Sequence, residues 1–113
     1  MSAGCLFCRI LSGQIPAKLV AETDDCVAFR DIDPQAPVHI LVIPRKHVAT
    51  LDELDDPALL GRMGVLLTQI AREEGIAESG YRVVINTRGD AGQSVPHLHA
   101  HLLGGRKLSW PPG

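Results

Sequence analysis

The sequence predicts an α+β domain: one five-stranded antiparallel sheet with one long and one short helix. Three observations carry this expectation. Short apolar segments bounded by Pro, Gly and Asp recur along the chain and read as strands. One longer stretch has its apolar residues at helical spacing. The strands also have few helices between them, which disfavours the crossovers of a parallel sheet.

Cys5 to Leu11 reads as the short helix, ending near Ser12-Gly13. Lys18 to Glu22 and Cys26 to Arg30 read as two strands joined by the Thr23-Asp24-Asp25 turn. Val38 to Ile43, between Pro37 and Pro44, is an apolar strand carrying one histidine. Asp56 followed by Pro57 supplies a helix N-cap and first position. Leu59, Leu60, Met63, Leu66, Leu67, Ile70 and Ala71 then form the stripe of the long helix, which Gly75 can close. This stripe reads as core packing, since no other long helix is available to cover a sheet. Tyr81 to Asn86 and His97 to Leu103 complete the five strands.

The 113 residues fit one domain, 1–113, with 45% apolar and 21% charged residues. A net charge of −2 gives no electrostatic reason to bind nucleic-acid polymers or anionic membranes. No apolar run approaches the roughly 18 residues that span a bilayer. The beginning of the chain lacks the basic and apolar segments of a secretory signal. Three cysteines do not suggest a disulfide framework. These features give a cytoplasmic expectation.

The chemistry concentrates in His97-Leu98-His99-Ala100-His101-Leu102-Leu103. Side chains alternate across a strand, so the three histidines share one face while Leu98, Ala100 and Leu102 face a core. Imidazole can act as acid, base, nucleophile or metal ligand. The stretch Gly89-Asp90-Ala91-Gly92-Gln93-Ser94-Val95-Pro96 runs straight into these histidines as a glycine-bearing polar loop. Such loops can present backbone N–H groups to an anion, with Gln93 and Ser94 adding side-chain donors. A phosphate cradle beside three imidazoles points to phosphoryl chemistry.

His97 to Leu103 resembles the signature of the histidine triad (HIT) superfamily. The resemblance extends through Phe7-Cys8-Arg9-Ile10, Ile15-Pro16-Ala17-Lys18, Ala28-Phe29-Arg30-Asp31-Ile32 and Pro34-Gln35-Ala36-Pro37. It continues in His39 to Pro44 with His47, Gly92 to Val95, Gly104-Gly105-Arg106, and Trp110-Pro111-Pro112-Gly113. Together these are similar to the Hint branch, the nucleoside phosphoramidases.

The resemblance implies that His99 is the nucleophile and forms a nucleotidyl-histidine intermediate, a two-step route suited to imidazole. It implies that His101 contacts the phosphate and assists proton transfer, and that His97 orients its neighbours. His39, alone on its strand's face, reads by itself as a structural histidine; the resemblance places it near the leaving group. Asp31 would take the ribose hydroxyls, with Phe29 and Ile32 flanking a purine. Asn86, Gly92, Gln93, Ser94 and Val95 would contact ribose or phosphate. Trp110, in a proline-bound tail, would lie across a dimer interface near the neighbouring site.

Cys5-Leu6-Phe7-Cys8 is the second chemical signal, and by itself is open to redox, metal-binding or inert readings. Some HIT members and the related hexose-phosphate uridylyltransferases hold a structural zinc with two such cysteines and two histidines. The corresponding ligands here are Cys5, Cys8, His47 and His97. Cys26 reads as core. The resemblance thus implies a homodimer with a continuous sheet, a purine nucleotide substrate with an AMP or GMP moiety, a structural zinc, and no cofactor required for catalysis. It implies cleavage of purine nucleoside 5′-phosphoramidates and acyl-adenylates. Dinucleoside polyphosphate hydrolysis, nucleotidyl transfer, or a nucleotide-binding regulatory or scaffold role remain as alternatives.

Overall fold

The computed structural model describes residues 4–113. Its sheet contains β1 (Leu19–Glu22), β2 (Cys26–Arg30), β3 (Val38–Pro44), β4 (Tyr81–Val84) and β5 (Ala100–Gly104). The order is β1-β2-β3-β5-β4, and every neighbouring pair is antiparallel. Helix α1 (Leu6–Leu11) precedes the sheet, α2 (Pro57–Glu73) follows β3, and α3 (Arg88–Ala91) lies between β4 and β5.

Local chemistry sets these elements. The Thr23 hydroxyl accepts the Cys26 N–H at 3.0 Å, which closes the turn between β1 and β2. β3 lies at the centre of the sheet and is buried on both faces, so its run is apolar rather than alternating. The Asp56 carboxylate caps α2 by accepting from the N–H groups of Ala58 and Leu59 at 3.1 and 3.2 Å.

The pleat sorts the core into two. Ala28, Ile40, Val42, Leu98, Ala100 and Leu102 pack with Met63, Leu66 and Ile70 of α2. Val27, Phe29, Leu41 and Ile43 pack on the other side with Cys5, Phe7 and Cys8 of the α1 segment. One face of the sheet is therefore covered by the long helix and the other by the short one. At the end of β5, a Cβ on Gly104 would stand 2.7 Å from the Ile76 side chain, so the segment after α2 comes close to the strand only because no side chain is there.

Four expectations need correction. The polar loop 89–96 contains part of a third helix, α3, closed by Gly92 in the left-handed conformation. β4 ends at Val84, which leaves Asn86 in the connection to α3. β5 begins at Ala100, not His97, because the preceding residues turn toward another loop: the Leu98 N–H donates to the Val48 carbonyl at 2.6 Å. Leu60, in the first turn of α2, remains exposed while the rest of the stripe is buried. No helix among the described residues is long and apolar enough to cross a membrane.

Candidate active site

The alternation of 97–103 survives although the ladder starts late. Leu98, Ala100 and Leu102 enter the α2 core, and the imidazoles emerge on the α1 side. The Phe7 ring meets both His97 and His99 there, and the His99 and His101 ring centroids are 5.0 Å apart. His39 shares this face through the same period of two as Leu41 and Ile43. Its Nε2 lies 2.9 Å from His101 Nδ1.

Fixed backbone partners decide which nitrogen of each ring carries the proton. A carbonyl can only accept, so His97 Nε2–H donates to the Pro44 carbonyl at 2.9 Å. That leaves the lone pair of His97 on Nδ1. By the same logic His99 Nδ1–H donates to the His97 carbonyl at 2.7 Å, leaving a lone pair on Nε2. His39 is the reverse case: its Nδ1 accepts the Gln35 backbone N–H at 3.0 Å, so its proton sits on Nε2. That proton points at His101 Nδ1, which places the His101 proton on Nε2.

Burial favours the neutral forms of His39, His97 and His101. His101 is pushed down to about 4, first by burial and then by His99 and His39, with Asp31 opposing. His39 is lowered by burial against the pull of Asp31 and Asp33, and His97 is lowered chiefly by burial. His39, His97 and His101 are thereby held neutral, and each ring of the row has an assigned donor or acceptor.

A cleft of about 210 Å³ opens over His99 and His101. Phe29, Asp31, Ile32, Ser94 and Val95 line it, as do Leu6, Phe7 and Leu41, which sequence reading did not assign to the site. Leu6 and Phe7 had a signal, since both lie between the two cysteines, and Leu41 shares the period of two with His39. A second cleft of about 610 Å³ adjoins across Arg30, Asp31 and Ile32 and reaches His39. Asp31 has one oxygen committed, accepting the Asp33 N–H at 2.8 Å, while the other lies 3.5 Å from His39 Nε2. Ile32 stands almost fully exposed at the mouth.

Asn86, Gly92, Gln93 and Trp110 line neither cleft. The Gln93 amide braces its loop instead, donating to the carbonyls of Ala49 and Val95 at 2.7 and 3.0 Å. Its oxygen accepts the N–H of Arg88 at 2.9 Å. Trp110 is exposed, with the Arg82 guanidinium 5.9 Å from its ring centroid.

Behind the histidine row, Cys5, Cys8, His47 and His97 bring four ligand atoms within 4.8 Å of one another. Cys8 Sγ lies 3.2 Å from His47 Nδ1 and 3.6 Å from His97 Nδ1, Cys5 Sγ 3.4 Å from His97 Nδ1, and the two Nδ1 atoms 3.2 Å apart. A zinc tetrahedron with ordinary Zn–S and Zn–N bonds has edges of about 3.3–3.8 Å. The His97 lone pair faces into this cluster, so the donor set fits a closed structural zinc. Asp31, His39 and His101 form a second cluster of possible ligands. It fits a metal poorly, because the Gln35 N–H holds the proton of His39 on the nitrogen that would have to ligate.

A family model described as HIT domain matches residues 12–108. An uncharacterized HIT-like protein of Synechococcus elongatus is 54% identical, with 100% of each chain covered. Among solved structures, a HIT family hydrolase from Legionella pneumophila is 49% identical with a TM-score of 0.95, covering 97% of this chain and 100% of the other. A histidine triad nucleotide-binding protein from Candida albicans is 31% identical with a TM-score of 0.85, covering 96% and 83%.

Proposed function

The chain belongs to the HIT domain family, and from that premise we propose that it hydrolyses purine nucleoside 5′-phosphoramidates, and acyl-adenylates, as Hint-branch enzymes do. One observation carries the reading. His99 lines a cleft of about 210 Å³ and has its Nδ1–H tied to a backbone carbonyl, which leaves the lone pair on Nε2. An imidazole so held is a nucleophile that needs no base to activate it.

The purine lies between Phe29 and Ile32, and the Asp31 oxygen that faces His39 accepts from the ribose hydroxyls. Ser94 and the backbone at Val95 meet the phosphate. Gly92 and Gln93 serve by shaping this loop. His99 Nε2 attacks phosphorus, the phosphorus–nitrogen bond breaks, and the amine leaves with a proton from solvent. The developing imidazolium keeps its Nδ1–H on the His97 carbonyl, which spreads its charge. His101, locked as an Nε2–H donor by His39, hydrogen-bonds a phosphoryl oxygen and stabilises the charge that builds there. Water then attacks the nucleotidyl-His99 phosphorus and regenerates the free imidazole.

Cys5, Cys8, His47 and His97 would hold a zinc ion that supplies structural order, with no position open to water. Two chains pair through the exposed edge β4, where Tyr81 and Val83 are uncovered, and Trp110 then reaches toward the neighbouring site. Side-by-side turnover of adenosine 5′-phosphoramidate and a diadenosine polyphosphate tests the reading. Preference for the phosphoramidate is expected; preference for the polyphosphate would move the chain to another HIT activity.

A further inference from the structure

The stretch Cys5-Leu6-Phe7-Cys8 faces two ways. Its sulfurs point at His47 and His97, while its aromatic ring stands against the imidazole of His99. The Phe7 and His99 centroids are 5.1 Å apart with the rings at 86°. The same ring meets His97 at 5.9 Å and Phe29 at 5.5 Å and is almost wholly buried. His99 is held by one hydrogen bond, from Nδ1 to the His97 carbonyl. A single bond at one ring atom leaves the imidazole free to rock about it. Phe7 and His101 are the rings that limit that motion.

We propose that Phe7 is a positioning residue for His99, and that metal binding at the Cys/His cluster reaches the nucleophile through it. Cys5 caps α1 by accepting the Cys8 N–H at 3.3 Å, so both sulfurs and Phe7 belong to one tightly bonded turn. A metal ion clamping the two sulfurs to His47 and His97 fixes that turn and, with it, the edge that Phe7 presents to His99. Without the ion, thiol–imidazole hydrogen bonds from Cys5 to His97 and from Cys8 to His47 join apolar packing in holding the turn, and they fix the ring less firmly than a metal clamp. Cys5, Phe7 and Cys8 lie outside the stretch matched by the family model. The identification of His99 as nucleophile rests on the proposed function; metal-dependent ordering of its ring does not.

The test uses the full chain, zinc-loaded or chelator-stripped, as wild type and as Phe7→Leu. Histidine-ring nitrogen NMR reads the order of His99 without substrate, and adenosine 5′-phosphoramidate turnover separates kcat from KM. Stripping zinc from the wild type should shift or broaden the His99 ring signals and lower kcat about three- to tenfold, with KM little changed. Phe7→Leu should show the same signature with zinc still bound, and stripping it should add little more. Unchanged His99 signals on zinc removal, additive effects of the two changes, or a change in KM alone would each overturn the proposal. If the stripped wild type unfolds, zinc-bound Phe7→Leu decides by its ring signals and kcat. An inactive wild type would count against the proposed function, while the NMR comparison still decides this one.

Discussion

A histidine with one nitrogen committed to the backbone has little choice about the other. His97 gives Nε2–H to Pro44 and keeps a lone pair on Nδ1, toward the Cys/His cluster; His99 gives Nδ1–H to the His97 carbonyl and keeps one on Nε2. His39 receives an N–H from Gln35 and is left a donor toward His101. This arrangement has a cost at low pH. His101 falls from 6.5 to about 4 on burial, so across that window the unfolded chain binds more protons than the folded one. Stability is therefore intact above pH 6.5 and lost as pH falls toward about 4, after which this group adds no further loss. His39 and His97 act in the same direction. Urea midpoints followed across this window should decline with pH in the wild type and less steeply in His101→Asn. Equal slopes would show that His101 does not carry the effect.

At the scale of elements, the N-terminal knuckle and the cap of α2 make contrasting predictions. Cys5→Ser with Cys8→Ser removes two of the proposed metal ligands and should lower the melting temperature more than it lowers turnover per folded molecule. Zinc content should also fall as pH drops, because binding requires thiolates and neutral imidazole. Protein purified without chelator that holds no zinc would argue against the site. Asp56→Ala deletes the cap of α2 and should cost about 1 kcal/mol by urea unfolding, with turnover unaffected. Some elements were legible and others were not. The apolar run of β3 and the stripe of α2 announced themselves, since burial imposes their periods. α3 did not, because four residues closed by Gly92 and held by the Gln93 amide depend on the surrounding loop. The late start of β5 was hidden because the alternation runs on through His97-Leu98-His99, while Leu98 bonds to Val48 instead of the ladder.

For the molecule as a whole, the shared face of His97, His99 and His101 could be read from a strand's rigid period of two, whereas Asp31 and the Cys/His cluster joined it in the sequence only through the family resemblance. That Leu6 and Phe7 line the cleft was not legible, since the spacing of the two cysteines does not say which face of the sheet α1 covers. The open edge at β4, with Tyr81 and Val83 exposed, predicts association. Light scattering should give about twice the 12.2 kDa chain mass, and a concentration-independent monomer would refute the dimer. Tyr81→Lys with Val83→Lys should shift the population toward monomer.

The central claim, that His99 attacks phosphorus, is tested most directly by replacing it. A folded His99→Gly protein should still bind AMP but lose adenosine phosphoramidate hydrolysis, and rapid quench of the wild type into alkaline denaturant during turnover should trap one nucleotidyl group on His99. Substantial turnover by His99→Gly, or an adduct on another residue, would contradict the account.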